Sequence, residues 1–351
     1  AFIFISSSIL IYLNDDEDSF LTNNQSYFYP DLFDRHKLEW DMNGTHSYLL
    51  KEGPYESLEV QEAFINVDTS SVWETGPSDA VVHLSYWLPS NTINAEKVPV
   101  IAVVSPYYDY GGPDGGASTP TNIVSAGRGE FIYENFVPWG YAFAQVAVFG
   151  TEESTGCFDY RGYGEQLGID AAVTWLGEQE WSNGNVGLYG KSYEGATQWE
   201  AALAGNPYLK TIVPISGTTS TKTLLFKNGS AEARSQVMHG AYFINIVDFD
   251  ESDADHVCPD VADGFTRGER TYLEPRIDPD MNYWNERDYR QRSIDNYQGS
   301  VYFIQGLQDW NVDSHMIFPL YQQMKDAGFD VKGMFSQWGH DYPDQWQKHD
   351  H

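Results

Sequence analysis

The stretch Asn185–Gly195, NVGLYGKSYEG, offers two incompatible chemistries. Gly190-Lys191-Ser192 has the ending of a phosphate-binding loop, whereas Gly190-x-Ser192 has the beginning of a nucleophile elbow. A phosphate-binding loop requires another glycine five positions before Gly190, and that place holds Asn185. Gly184 and Gly187 miss the register, so the first reading fails. An elbow needs a strand, a tight turn that throws the serine outward, and a helix directly behind it. Small residues are required where the two backbones approach. NVGLY supplies the strand, Gly190 and Gly195 flank the turn, and the alanine-rich SYEGATQWEAALAG supplies the helix. The usual G-x-S-x-G pattern has glycine two places after the serine. Here that place is Glu194, with the glycine one residue later. A lone G-x-S is a structural turn more often than a nucleophile, so the partners must decide.

A serine nucleophile needs a histidine to take its proton and a carboxylate to orient that histidine. On an α/β sheet the three follow in the order Ser, Asp or Glu, His, each just past the carboxyl end of a strand. The run SVYFIQG leads into LQDWNVD and places Asp309 there, with Asp313 a rival close by. The run DVKGMFSQ leads into WGHD and places His340 likewise, whereas His349 and His351 fall in a polar tail. In such a site the backbone N–H of Tyr193, the residue after the nucleophile, supplies one oxyanion donor.

These residues need a parallel sheet to position them. VPVIAVVSP (98–106) is continuously apolar and β-branched, as a strand covered on both faces must be. YAFAQVAVFG, NVGLYG, LKTIVPISG and SVYFIQG repeat the pattern, and DVKGMFSQ is a weaker, alternating version suited to an outer strand. EAFINV and DAVVHLSYWLP read as half-buried antiparallel strands. Helical patterns fall between them at GEQLGIDAAVTWLGEQ, after Ser192, and at DSHMIFPLYQQMKDAG, the last weakened by Pro319. The alternation predicts a mostly parallel, doubly wound α/β sheet, and the order Ser, Asp, His predicts its α/β-hydrolase form. It breaks over 218–298, too long for a plain loop, which predicts a mostly helical insertion capping the sheet. The core then comprises 21–217, beginning with an irregular arm, and 299–351. DFDESDADHVCP within the insertion lacks the glycine and glutamate of a calcium loop and reads as a solvated acidic loop; no metal or cofactor is implied.

The chain has 51 acidic and 20 basic residues among 351, a net charge of −31. Such a field repels phosphate backbones, so nucleic acid is excluded as a partner, and a salt-adapted acidic surface is expected. The opening AFIFISSSILIYL is too short to span a bilayer and, followed at once by NDDEDS, reads as a signal-peptide core or clipped membrane anchor over 1–20. Export is therefore expected. Cys157 and Cys258 lack metal spacing; they are either a disulfide or two buried thiols.

At this point the sequence resembles a known family. GKSYEG matches the G-x-S-Y-x-G elbow of the X-Pro dipeptidyl-peptidase and cocaine esterase family of serine hydrolases. GLQDWNV and SQWGHDYPD resemble the segments that carry its acid and its histidine. SPYY after the first central strand resembles the Pro-Tyr pair whose tyrosine helps bind the oxyanion, which implies Tyr107, with Tyr108 as the alternative. The misplaced glycine is thus the pattern of the family. The Asp-x-Arg-Gly usual in its esterase-like branch is replaced by Ala147-Val148-Phe149-Gly150, which is closer to the dipeptidyl-peptidase branch. The resemblance also implies a C-terminal jelly-roll domain, which these 351 residues do not include.

The expected substrate is a short peptide or a small ester. A dipeptidyl-peptidase must hold a free ammonium with carboxylates, for which Glu194, Glu152 and Glu153 are candidates, and must offer an apolar slot for proline, which Trp284 and Tyr289 could line unless they simply pack. Glu194 is equally readable as a structural elbow residue. A carboxylesterase or acylase of the same fold is the alternative, and a catalytically silent binding module the remote one.

Overall fold

The computed structural model describes residues 37–40, 46–49, 53–73, 76–108, 129–231, 257–258, 261 and 282–343. The apolar opening run, the acidic DFDESDADH loop, His349 and His351 lie outside them. The chain divides into two compact units, 1–53 and 54–351. In the first, β1 (Lys37–Trp40) and β2 (His46–Leu49) pair antiparallel, with Trp40 opposite His46. That segment reads in sequence as an irregular arm. Two strands of four residues are too short to show a period, so their pairing left no mark in the sequence.

The second unit is built on one eight-stranded sheet of order β12-β11-β8-β7-β5-β6-β4-β3. Its strands are β3 (Gln61–Asp68), β4 (Asp79–Trp87), β5 (Val98–Ser105), β6 (Ala142–Ala147), β7 (Ser182–Lys191), β8 (Leu209–Ile215), β11 (Ser300–Gly306) and β12 (Val331–Ser336). β3–β4 and β4–β6 are antiparallel, and every other pair is parallel. The continuously apolar β5 lies between β6 and β7, and the alternating β12 is an edge strand, as their patterns require.

Alternate residues of β5 feed two different layers. Val100, Ala102 and Val104 join the main core with α2 (Tyr163–Glu178) and α3 (Tyr193–Ala202). Val103 instead packs with Trp87, Phe143 and Ile132 of α1 (Gly129–Phe136) on the opposite face. Period-two alternation thus distributes one apolar run to both faces of the sheet. α7 (Ile317–Asp326) buries Ile317, Leu320 and Met324. Pro319 sits in its first turn, where a missing N–H costs nothing, so the helix tolerates it.

Within 218–298 the described residues form three short helices, α4 (Thr221–Leu225), α5 (Asn282–Asn285) and α6 (Arg290–Asn296). They also form a small hairpin, β9 (Phe226–Lys227) with β10 (Ser230–Ala231). Asn228 and Gly229 turn this hairpin with φ of 52° and 79°, the left-handed pair a two-residue turn demands. Cys157 and Cys258 form a disulfide with Cα atoms 4.9 Å apart, which ties this insertion to the loop before α2. Among the described residues no helix is long and apolar enough to cross a membrane.

Candidate active site

Ser192 stands between β7 and α3 at φ 63° and ψ −116°, the strained turn that an elbow requires. Its amide donates to the Ile215 carbonyl at 2.9 Å, and its carbonyl accepts from Gly195 and Ala196 to start the helix. The glycines follow from close approach. A Cβ on Gly195 would lie 2.7 Å from the Cα of Gly217, on the turn after β8. A Cβ on Gly190, whose φ is 154°, would lie 2.5 Å from that of Glu194. The late glycine therefore belongs where the helix passes the β8 turn, and position 194 is left free to carry a side chain.

Asp309 and His340 meet as the sequence order requires. The His340 Nδ1 and Asp309 Oδ2 are 2.8 Å apart. The other oxygen, Oδ1, accepts the amides of Asn311 and Val312, both at 2.9 Å, so the carboxylate is fixed in direction. Burial opposes its ionisation, but the bond and charge of His340 and the Val312 amide outweigh that and hold its pKa below the ordinary value. Asp313 is occupied elsewhere, 2.6 Å from Lys227 Nζ. Gln305, fully buried at the end of β11, donates to Asp309 Oδ2 and to the Val312 carbonyl and so braces the acid loop. Sequence reasoning passed over Gln305; a lone amide in an otherwise apolar strand run was the available signal. The acid and histidine loops are also laced together, Leu307 N–H to Ser336 and Gln308 N–H to Trp338.

On the oxyanion side, Tyr193 opens α3, so its amide lies in the first turn, where a helix offers no acceptor of its own. Its side chain points into a buried charged layer. The Tyr193 hydroxyl donates to Glu165 Oε2 at 2.8 Å, and the Arg161 guanidinium lies 4.2 Å from its ring centre. Burial, then the charge of Asp159, raises the Glu165 carboxyl to about 7; burial, then Glu165, raises Glu200 as well. The residues of this layer were not singled out in the sequence, because nothing local distinguishes a buried glutamate from a solvated one. Between the two tyrosine candidates, Tyr108 is buried with its hydroxyl donating to the Val103 carbonyl, while Tyr107 is half-buried and packs edge-on against Tyr193.

The candidates for substrate contact stand differently. Glu194 is buried beneath the elbow, its Oε1 accepting from Ser105 Oγ at 3.0 Å. Ser105 Oγ in turn accepts the Tyr107 amide at 3.2 Å. Glu194 thus joins the nucleophile helix to the Tyr107 turn and offers no carboxylate to solvent. Burial lifts its carboxyl to about 7, against the opposing pull of the Ser105 bond and of the Lys191 amide and charge. Trp284 is fully buried with Leu225 and Phe226, and Tyr289 is fully buried with its hydroxyl on the Arg161 carbonyl. Both are packing residues, with no free face for a proline ring. Glu152 is half-buried and Glu153 exposed in the loop after β6.

The family model of X-Pro dipeptidyl-peptidase (S15 family) matches residues 79–342, most of the chain. The chain belongs to the S15 family. A protein assigned as a Xaa-Pro dipeptidyl-peptidase in Streptomyces avermitilis is 30% identical over 264 residues, covering 70% of this chain and 37% of that protein. The cocaine esterase of a Rhodococcus species is 34% identical over 117 residues, covering 33% of this chain and 18% of the esterase. Among solved structures, a CocE/NonD family hydrolase from Staphylococcus aureus aligns with a TM-score of 0.56 at 17% identity, over 89% of this chain and 50% of that one. This likeness shows the α/β-hydrolase fold. The chain spans less than half the length of the curated S15 relatives it matches.

Proposed function

We propose that this S15 chain is a serine hydrolase acting through an acyl-enzyme, with release of N-terminal X-Pro dipeptides as its reaction. The observation that carries the proposal is the Asp309–His340 pair at 2.8 Å on the same sheet end as the strained Ser192 elbow. His340, its Nδ1 held by Asp309, takes the Ser192 proton on Nε2 as Oγ attacks the scissile carbonyl. The oxyanion is held by the Tyr193 amide and the Tyr107 phenol. Imidazolium then protonates the leaving amine, and water repeats the sequence to release the acyl group. The buried, ionised Asp309 stabilises the imidazolium in both halves.

Labelling by a fluorophosphonate probe tests the chemistry, and it must vanish in Ser192→Ala. An intact protein that stays unlabelled would favour a binding module. Hydrolysis of Ala-Pro-nitroanilide, but not of its N-acetylated form, then marks a dipeptidyl-peptidase. Turnover of nitrophenyl acetate alone would support the second reading, a carboxylesterase, which the local identity to cocaine esterase favours.

We also read the chain as exported and salt-adapted. The Cys157–Cys258 disulfide and the net charge of −31 support this. An intracellular location of the native protein, or activity unchanged from low to molar salt, would count against the respective half.

A further inference from the structure

We infer that Lys191, the residue before the nucleophile, is a positioning residue that holds the general base opposite Ser192. The inference rests on the hydrolase reading of the site. In the sheet, β7 and β12 are separated by β8 and β11, so the serine and the histidine arrive on loops three strands apart. Something must fix the histidine loop relative to the elbow. Its own stem contacts, Trp338 over Ile215 and Ile304 and the close passage past Gly306, anchor it to β8 and β11.

Lys191 reaches across the remaining gap. Its Nζ donates to the His340 carbonyl at 3.2 Å, lies 3.9 Å from Asp341 Oδ1, and sits 5.2 Å from the centre of the Tyr342 ring. One ammonium therefore grips three consecutive residues of the loop, and its own backbone is that of the elbow. The Tyr342 ring also stacks on Tyr189 of β7 at 6.4 Å, so the cation closes a junction that packing has begun. Lys191 is about three-quarters buried, its side chain 22% exposed, which shields the contacts from screening better than a surface pair. A charge-assisted bond to a main-chain carbonyl fixes backbone position without touching the imidazole. An error of about 1 Å between base and nucleophile costs on the order of a hundredfold in rate. A side chain that fixes this distance acts on kcat without contacting substrate.

The test uses Lys191→Met, Lys191→Gln and Lys191→Arg with an ester or anilide that the intact chain turns over. Lys191→Met should lower kcat about tenfold or more with KM within about twofold, by the cost of misplacement. Lys191→Gln keeps a donor for the carbonyl and should fall between Met and the parent; Lys191→Arg should recover most of the rate. In a His340→Ala background Lys191→Met should cause no further loss of residual fluorophosphonate labelling, since the residue acts through the histidine. Unchanged kcat in folded Lys191→Met or Lys191→Gln, or an equal loss with and without His340, overturns the inference. Failure of the intact chain to label at all would instead refute the hydrolase reading.

Discussion

Replacing Glu194 by glutamine should make the protein more stable at high pH and nearly neutral at low pH. The carboxyl is raised from 4.5 to about 7, chiefly by burial. The folded state therefore holds a proton that the unfolded chain has released between those values. A raised folded pKa contributes stability that is present below about 4.5 and lost as pH climbs through about 7. The full loss is about 3–4 kcal/mol, from 2.5 pH units at about 1.4 kcal/mol each, and most of it falls between pH 5 and 8. Glutamine keeps the acceptor for Ser105 Oγ and has no proton to lose. Urea unfolding of both proteins at pH 5 and pH 8 isolates this group, because every other titration is shared. The gap between variant and parent should move by roughly 2–3 kcal/mol in the variant's favour at the higher pH. A gap that does not change with pH, or one that widens against the variant, would refute the reasoning and with it the placement of the carboxyl in a dry site.

Asp309→Asn should lower kcat by about 10³–10⁴ with little change in KM, since the imidazole loses its orienting and stabilising charge; steady-state kinetics read this directly. Tyr107→Phe should cost about 10²–10³ in kcat, the usual loss of one oxyanion donor, while Tyr108→Phe, whose hydroxyl ends on the Val103 carbonyl, should leave kcat within a fewfold. Cys157→Ser with Cys258→Ser opens a loop closed at a separation of 101 residues, and chain entropy puts the cost at about 2–5 kcal/mol; equal urea midpoints with and without the bridge would contradict it.

The sheet and the meeting of Asp309 with His340 were legible in the sequence because each left a local mark. Continuous apolar runs belong to β5, β7 and β11, and Asp309 and His340 follow strand ends by a few residues, so order and spacing suffice. The short β9–β10 hairpin escaped, since two-residue strands have no period to detect. So did the contacts between distant segments. Lys191 looked like the remnant of a phosphate loop because its three contacts lie about 150 residues further along the chain. Glu194 carried a carboxylate next to a nucleophile, which suggests substrate recognition on chemical grounds, and only burial reveals that it faces Ser105. Trp284 and Tyr289 were open in the same way: aromatic rings in an insertion suit a pocket or a core equally, and burial separates the two in favour of the core.

The hexapeptide Gly190–Gly195 then explains more than where the serine is. Its side chains leave in different directions, and each holds a separate wall of the site. Lys191 fastens the histidine loop, Tyr193 plugs into the layer of Arg161 and Glu165, and Glu194 reaches back to Ser105 beneath the Tyr107 turn. The two glycines are there so that neighbouring backbones and the Glu194 stem fit. An elbow with glycine two places after its serine would forfeit the Glu194 anchor. The Tyr107 turn and the Ser192 helix would then keep one side-chain bond, from the Thr197 hydroxyl to the Val104 carbonyl, besides packing. The shift of one glycine by one position therefore gives the elbow a second tie to the end of β5, through Glu194 and Ser105.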